Sequence, residues 1–341
     1  MSRRVMTMSV GVALLVVLGL FGARLPVPYA ALGPGPTLDT LGSVGNRQVI
    51  AIVGRTPNTT TGHLNLTTVS VQDRLDVFSV LRGWVDGGVS VVPREELYPP
   101  DQTQEQVDKE NTAEFARSQS DAVLAALREL HYPEKIVIQG VPDGSASTGK
   151  LRSRDLLTSV DGTPVTDLAT LEKVLTRLAP GTTVTVGYRR QHAAGTARVT
   201  LAKAKDRPGG ALGVLVSMEP VAEDFTVNIQ VGEDIGGPSA GLMFALGILE
   251  KIGPTELTGG RFIAGTGTID PVGKIGPIGG IPLKMLGARQ KGATVFLVPA
   301  ANCDEARRAI PAGLRLVKVD SLHTAVTALG TLRQGGVPAG C

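Results

Sequence analysis

The sequence predicts an α+β protein in three parts: an N-terminal transmembrane helix, a small β-rich domain and a C-terminal α/β domain. Three observations carry this. Residues 5–23 form an apolar run without a charge, about 28 Å long as a helix and so matched to a ~30 Å hydrocarbon core. Residues 135–201 hold short β-branched runs parted by Asp-Gly and Pro-Gly turns. Beyond Arg207-Pro-Gly-Gly210, strand-like and helix-like segments alternate to the end.

Composition narrows the function classes. In 341 residues, 42% are hydrophobic, enough for packed cores, and only 4% are aromatic, too few for broad stacking platforms on single strands. The net charge of +3 comes from interspersed charges, so no nucleic-acid partner is expected. His63, His131, His192, His323, Cys303 and Cys341 are scattered, with no C-x-x-C or H-E-x-x-H spacing. No metal site and no cofactor is expected. Whether the two cysteines pair stays open, because spacing does not set their Cα separation.

Taken in order, residues 1–4 are a cytoplasmic tip and 5–23 the anchor. Arg3 and Arg4 before the run place the N-terminus inside and the rest of the chain outside a cell membrane, crossed once. A cleaved signal peptide is the other reading; no A-x-A site follows the run, which favours retention. Pro26, Pro28, Pro34 and Pro36 make 24–47 a stiff linker. Strands are expected over 48–53 and 64–71, and a short helix over 73–81. Thr103-x-x-Gln106 reads as a capping box opening a helix to about Arg117. Ser120 then caps a second helix with Ala122, Val123, Ala126, Leu127 and Leu130 on one face. Residues 48–130 either lend strands to the C-terminal domain or form a separate cap.

Gly144-Ser-Ala-Ser-Thr-Gly149-Lys150 has the spacing of a phosphate-binding loop. Leu151 stands where Ser or Thr would hold Mg²⁺, and a strand, not a long helix, follows. ATP use is not expected. The same stretch, with Lys135-Ile-Val-Ile-Gln139 and Asp155-Leu-Leu-Thr-Ser-Val160-Asp-Gly162-Thr-Pro-Val165-Thr-Asp167, resembles the PDZ domains of bacterial proteases, over 131–206. That resemblance implies capture of an extended protein or peptide as an added strand; a spacer or gate is the alternative. Arg154 departs from the glycine usual before the Asp.

In Gly237-Pro-Ser239-Ala-Gly241, Pro238 suits a first helical position. Ser239 then sits at a helix N-terminus, whose amides around Gly237, Pro238 and Ser239 favour an oxyanion. A plain capping serine is the bland reading. Lys284 falls in the first turn of a later helix, between Ile281 and Ala288 on an apolar stripe. To act as a base it must lose roughly three pKa units, about 4 kcal/mol, which burial can supply. The spelling also fits the G-x-S-x-G elbow of Ser-His-Asp esterases, with His323 and Asp304 or Asp320. The 232–237 stretch is too long for a tight elbow.

Gly237-Pro-Ser239-Ala-Gly241, Gly265-Thr-Gly267, Pro277-Ile-Gly-Gly280…Lys284 and Val298-Pro299…Asn302 follow the order of the Lon-type serine peptidase domain, here 211–330, with 331–341 as a tail. With its anchor and PDZ, the chain resembles the membrane-anchored PDZ-containing Lon-like serine proteases of bacteria. The resemblance implies an ATP-independent endopeptidase acting on protein or peptide substrates, with Ser239 as nucleophile, Lys284 as base and Thr266 holding the lysine. It also implies contact with the lipid bilayer through the N-terminal helix and a homo-oligomeric ring. The ATPase domain of Lon itself has no place in this length. Gly236 departs from the acidic residue common three before the serine; Glu233 and Asp234 stand nearby. A non-catalytic PDZ adaptor is the competing class.

Overall fold

The apolar run forms one helix, Arg3–Gly22, in a computed structural model that describes residues 3–73, 75–85, 87–232 and 236–341. Its segment Arg4–Gly22 is long and apolar enough to cross a membrane, with mean hydropathy 2.3, a property that anchors and signal sequences share. Glu233 and Asp234 lie outside the described residues.

The chain divides into two compact units, Met1–Ala126 with Val227–Cys341, and Leu127–Thr226. The larger unit is built on a six-stranded sheet in the order Arg315–Val319, Val295–Pro299, Phe262–Gly265, His63–Gln72, Tyr29–Asp39, Ser90–Pro93. The first four run parallel; Tyr29–Asp39 is antiparallel to both its neighbours. Residues 24–47 are therefore not a linker, since the strand Tyr29–Asp39 fills much of them. Pro34 and Pro36 are tolerated because the register breaks between Pro34 and Thr37, and the outer partner Ser90–Pro93 pairs only as far as Leu32. The two strands crowd each other there: a Cβ on Gly35 would stand 2.7 Å from the Thr68 carbonyl carbon.

Helices cover both faces of this sheet. Gly241–Ile252 is buried at every position and apolar as far as Leu249, as a helix enclosed on all sides must be; Glu250 and Lys251 at its end are met by Thr258 Oγ1 and Ile50 O. A Cβ on Gly265 would meet Met243 Sδ at 2.8 Å, which puts this helix on the face of Ile263 and Gly265. Ile281–Lys291 packs with Ala264, Phe296 and Val298, residues that alternate to the opposite face.

Local expectations shift in three places. The short helix is Val77–Val85, because Asp76 caps it by accepting from the amides of Phe78 (2.9 Å) and Ser79 (3.0 Å). The capping box at Thr103 and Gln106 forms, but the helix runs unbroken over Gln104–Glu129. Ser120 does not cap; its hydroxyl donates back to Ala116 O at 3.2 Å within the helix. Cys303 and Cys341 are joined in a disulfide.

The smaller unit is an antiparallel sheet in the order Ala193–Thr200, Thr183–Arg190, Leu156–Val160, Glu134–Gly140, Leu215–Pro220, with the helix Leu168–Arg177 capped by Asp167. Asp155 is buried and held by both arms of Arg190 at 2.7 Å. Arg154 keeps the left-handed backbone (φ 71°) that a glycine would adopt freely. The phosphate-loop look-alike is a turn in this unit: Ser147 donates to Leu212 O at 2.6 Å and Lys150 to Ala146 O at 3.2 Å.

Candidate active site

The turn Pro238–Ala240 leads directly into the buried helix Gly241–Ile252. Gly237 enters it at φ 85° and Pro238 takes the first position, so the chain rises sharply and presents Ser239 at the helix start. Pro238 has no N–H to offer an oxyanion. Its carbonyl instead accepts from Ser118 Oγ at 3.0 Å, and its part is to fix the turn. Amide donors toward a developing oxyanion must come from the residues around it.

Lys284 arrives from the other side of the sheet. Gly280 starts its helix in the left-handed conformation (φ 74°), and Lys284 lies one turn in, 4% exposed. Its Nζ stands 2.9 Å from Ser239 Oγ and 3.2 Å from Thr266 Oγ1. Thr266 follows the end of the parallel strand Phe262–Gly265 and donates to Ser239 O at 3.0 Å, while Gly267 N donates to the same carbonyl at 2.9 Å. Burial pushes the Lys284 ammonium down to about 8, because the charged form loses its water. The neighbouring helix N-terminus opposes the cation further. Ser239, Thr266 and Lys284, distant in sequence, thus share one cluster in which the threonine and lysine are buried and the serine is half-buried.

Two residues escaped the sequence reading. Asn302 is nearly buried and clamps the loop ahead of Lys284 from both sides, its Oδ1 accepting from Ile278 N and its Nδ2 donating to Ile278 O, each at 2.9 Å. It stood within a motif that gave it no role. Ser118, on the helix Gln104–Glu129, fixes Pro238 and lies so close that a Cβ on Gly241 would meet its Oγ at 2.8 Å. A serine on a polar helix carried no signal. Beside Pro238 a cavity of about 350 Å³ is lined by Glu114, Arg117, Asp121, Asp270 and Lys274.

The two acids of the esterase reading both have other partners. Asp320 serves the cap of the helix Leu322–Arg333, accepting from Thr324 Oγ1 at 2.9 Å, and Asp304 pairs with Arg307.

A family model of the PDZ domain matches residues 88–201, and one of the Lon protease (S16) C-terminal proteolytic domain matches residues 219–329. The chain carries a PDZ domain and a Lon-type proteolytic domain, which supports a serine peptidase. Among solved structures it is similar to the PDZ domain of the SdrC-like protein from Listeria monocytogenes, at 18% identity over 24% of this chain and 86% of that one, TM-score 0.23. The corresponding domain from Listeria innocua gives 20% identity over 24% and 92%, TM-score 0.23. A solution structure from Geobacillus thermodenitrificans gives 20% over 24% and 97%, TM-score 0.23. No curated protein matches the chain.

Proposed function

We propose that the chain is a membrane-anchored, ATP-independent serine endopeptidase in which Ser239 is the nucleophile and Lys284 the general base. The observation that carries this reading is the 2.9 Å approach of a buried lysine amine to a serine hydroxyl, with its proton affinity lowered to about 8. The neutral amine takes the Ser239 proton as Oγ attacks the scissile carbonyl carbon, and the carbonyl π pair moves onto oxygen. Amides at the start of the helix stabilise that oxyanion. As the pair returns, the C–N bond breaks and Lys284 gives its proton to the leaving nitrogen. Water then attacks the acyl-serine, passes a proton to Lys284, and the carboxylic product leaves as Ser239 regains its hydrogen.

The PDZ unit recognises or gates protein substrates. Its sheet ends at Leu215–Pro220, and an extended segment adding there would gain main-chain hydrogen bonds. Residues 209–214 lead into that strand with Gly209 and Gly213 at positive φ.

The helix Arg3–Gly22 anchors the chain with its N-terminus in the cytoplasm and the peptidase outside. The Cys303–Cys341 disulfide supports that sidedness, since such bonds persist in oxidising compartments.

Casein or peptide cleavage by the full chain tests the reading. Ser239→Ala and Lys284→Ala are each expected to abolish turnover while His323→Ala keeps it. Activity that survives Lys284→Ala and is lost in His323→Ala supports the esterase; no turnover dependent on Ser239 leaves the adaptor.

A further inference from the structure

The helix Val77–Val85 is apolar on its outer side. Its inner side carries Val80 and Gly83, both buried, and a Cβ on Gly83 would meet Val91 Cγ2 at 2.6 Å. The helix therefore lies flush on the strand Ser90–Pro93. A helix on a water-facing surface turns charged and polar residues outward. This one turns out Phe78, Leu81, Trp84 and Val85, which are 49, 50, 62 and 87% exposed. Arg82 is its sole charged residue.

The exposed face adjoins the mouth of the N-terminal apolar helix. A Cβ on Gly22 would stand 3.3 Å from the Phe78 ring. Only Ala23-Arg24-Leu25 intervenes before Pro26–Val27, which pairs antiparallel with Leu75–Asp76, the residues that open the Val77–Val85 helix. Trp84 stands edge-on to Tyr29, centroids 6.3 Å apart. Apolar surface thus continues from the end of the span onto this short helix.

We infer that Val77–Val85 is an interfacial helix, lying in the headgroup region of the bilayer that Arg4–Gly22 crosses, with Phe78, Leu81 and Trp84 set into the acyl boundary. The inference rests on the reading of Arg4–Gly22 as a span. Tryptophan favours that boundary because its ring is apolar and its N–H is not. A lone arginine beside it meets lipid phosphate without leaving water. The contact gives the larger unit a second hold on the membrane and limits its swing about Ala23–Leu25.

Trp84 is the sole tryptophan of the chain, so intrinsic emission reads this helix directly. The full chain is reconstituted into vesicles of phosphatidylcholine and phosphatidylglycerol and washed with carbonate. The expected result is blue-shifted emission, quenched by lipids brominated near the headgroup and shielded from aqueous iodide. The double variant Phe78→Ser/Leu81→Ser keeps the probe; it is expected to remain in the washed vesicles yet lose the blue shift and the bromine quenching. Wild-type emission that is water-like and quenched by iodide overturns the inference while leaving the span intact. Shielding from iodide without bromine quenching, relieved on dilution with lipid, assigns the face to a second copy and also overturns it. A chain lost in the carbonate wash overturns the span and this inference together.

Discussion

The hydroxyl of Thr266 receives Lys284 Nζ at 3.2 Å. Its own proton is committed to Ser239 O at 3.0 Å, so toward the lysine it can only accept. A neutral amine that donates to Thr266 keeps its lone pair free for Ser239 Oγ. Thr266 is in this sense a positioning residue, orienting the base through one hydrogen bond.

Replacing Thr266 by Val removes the acceptor and the link to Ser239 O at similar volume. The turnover number is expected to fall about 10–100-fold with KM little changed, as for a misplaced reacting group. Thr266→Ser is expected to restore most of it. Steady-state kinetics on a peptide, with a thermal melt to confirm folding, checks both; an active valine variant would remove Thr266 from the machinery.

The lysine predicts that activity and its own contribution to stability both rise with pH. kcat/KM is expected to rise with pH through about 8, as Lys284 loses its proton. In the unfolded chain the same amine titrates near ~10.4. Between those values the unfolded state binds the proton and the folded state does not, so this residue adds stability as pH rises from about 8. Below about 8 its burial costs on the order of 3 kcal/mol at ~1.36 per unit. Lys284→Met is therefore expected to be inactive but about 1–3 kcal/mol more stable at pH 7, the gap narrowing toward pH 10 in urea melts. A methionine variant less stable than wild type at pH 7 contradicts a buried, costly lysine.

The parts of the site that speak locally could be read from the chain, and those that depend on distant pairing could not. Gly-Pro-Ser-Ala-Gly names a turn and a helix start, and a lysine between Ile281 and Ala288 is anomalous on any apolar stripe. Their 2.9 Å approach depends on helices from opposite faces meeting past the end of Phe262–Gly265, which no local pattern encodes. Pro34 and Pro36 hid the strand Tyr29–Asp39, because its bulge at Pro34–Thr37 is what makes them acceptable. Ser120 looked like a stop, yet its hydroxyl is satisfied inside the helix. Arg154 broke the PDZ pattern by residue type while keeping its backbone conformation.

Ser118 holds the turn that presents Ser239. Ser118→Ala takes away the donor to Pro238 O, and a lost hydrogen bond at a half-buried carbonyl costs about 0.5–1.5 kcal/mol. The expected outcome is that loss in urea melts together with a lower turnover number. Ser118→Val, which adds bulk where Gly241 already touches the hydroxyl, is expected to be worse in both. An alanine variant with unchanged stability and kinetics would show that the turn holds itself.

Cys303 directly follows Asn302, the residue that clamps Ile278 ahead of Lys284. Its partner Cys341 ends a tail that is also held by hydrogen bonds: Lys318 N donates to Ala339 O at 3.0 Å, and Arg307 donates to Cys341 O at 2.9 Å. The bond spans 38 residues, and closing a loop of that length takes about 4 kcal/mol of chain entropy from the unfolded state. Cys341→Ser returns that entropy to the unfolded chain while the hydrogen bonds still hold the folded tail, so it is expected to lower the unfolding free energy by about 2–4 kcal/mol. Reductant should shift the wild-type urea midpoint by a similar amount and leave the Cys303→Ser/Cys341→Ser variant unmoved. A wild-type midpoint indifferent to reductant, with both thiols titrating as free, would argue against the bond and against the oxidising compartment it supports.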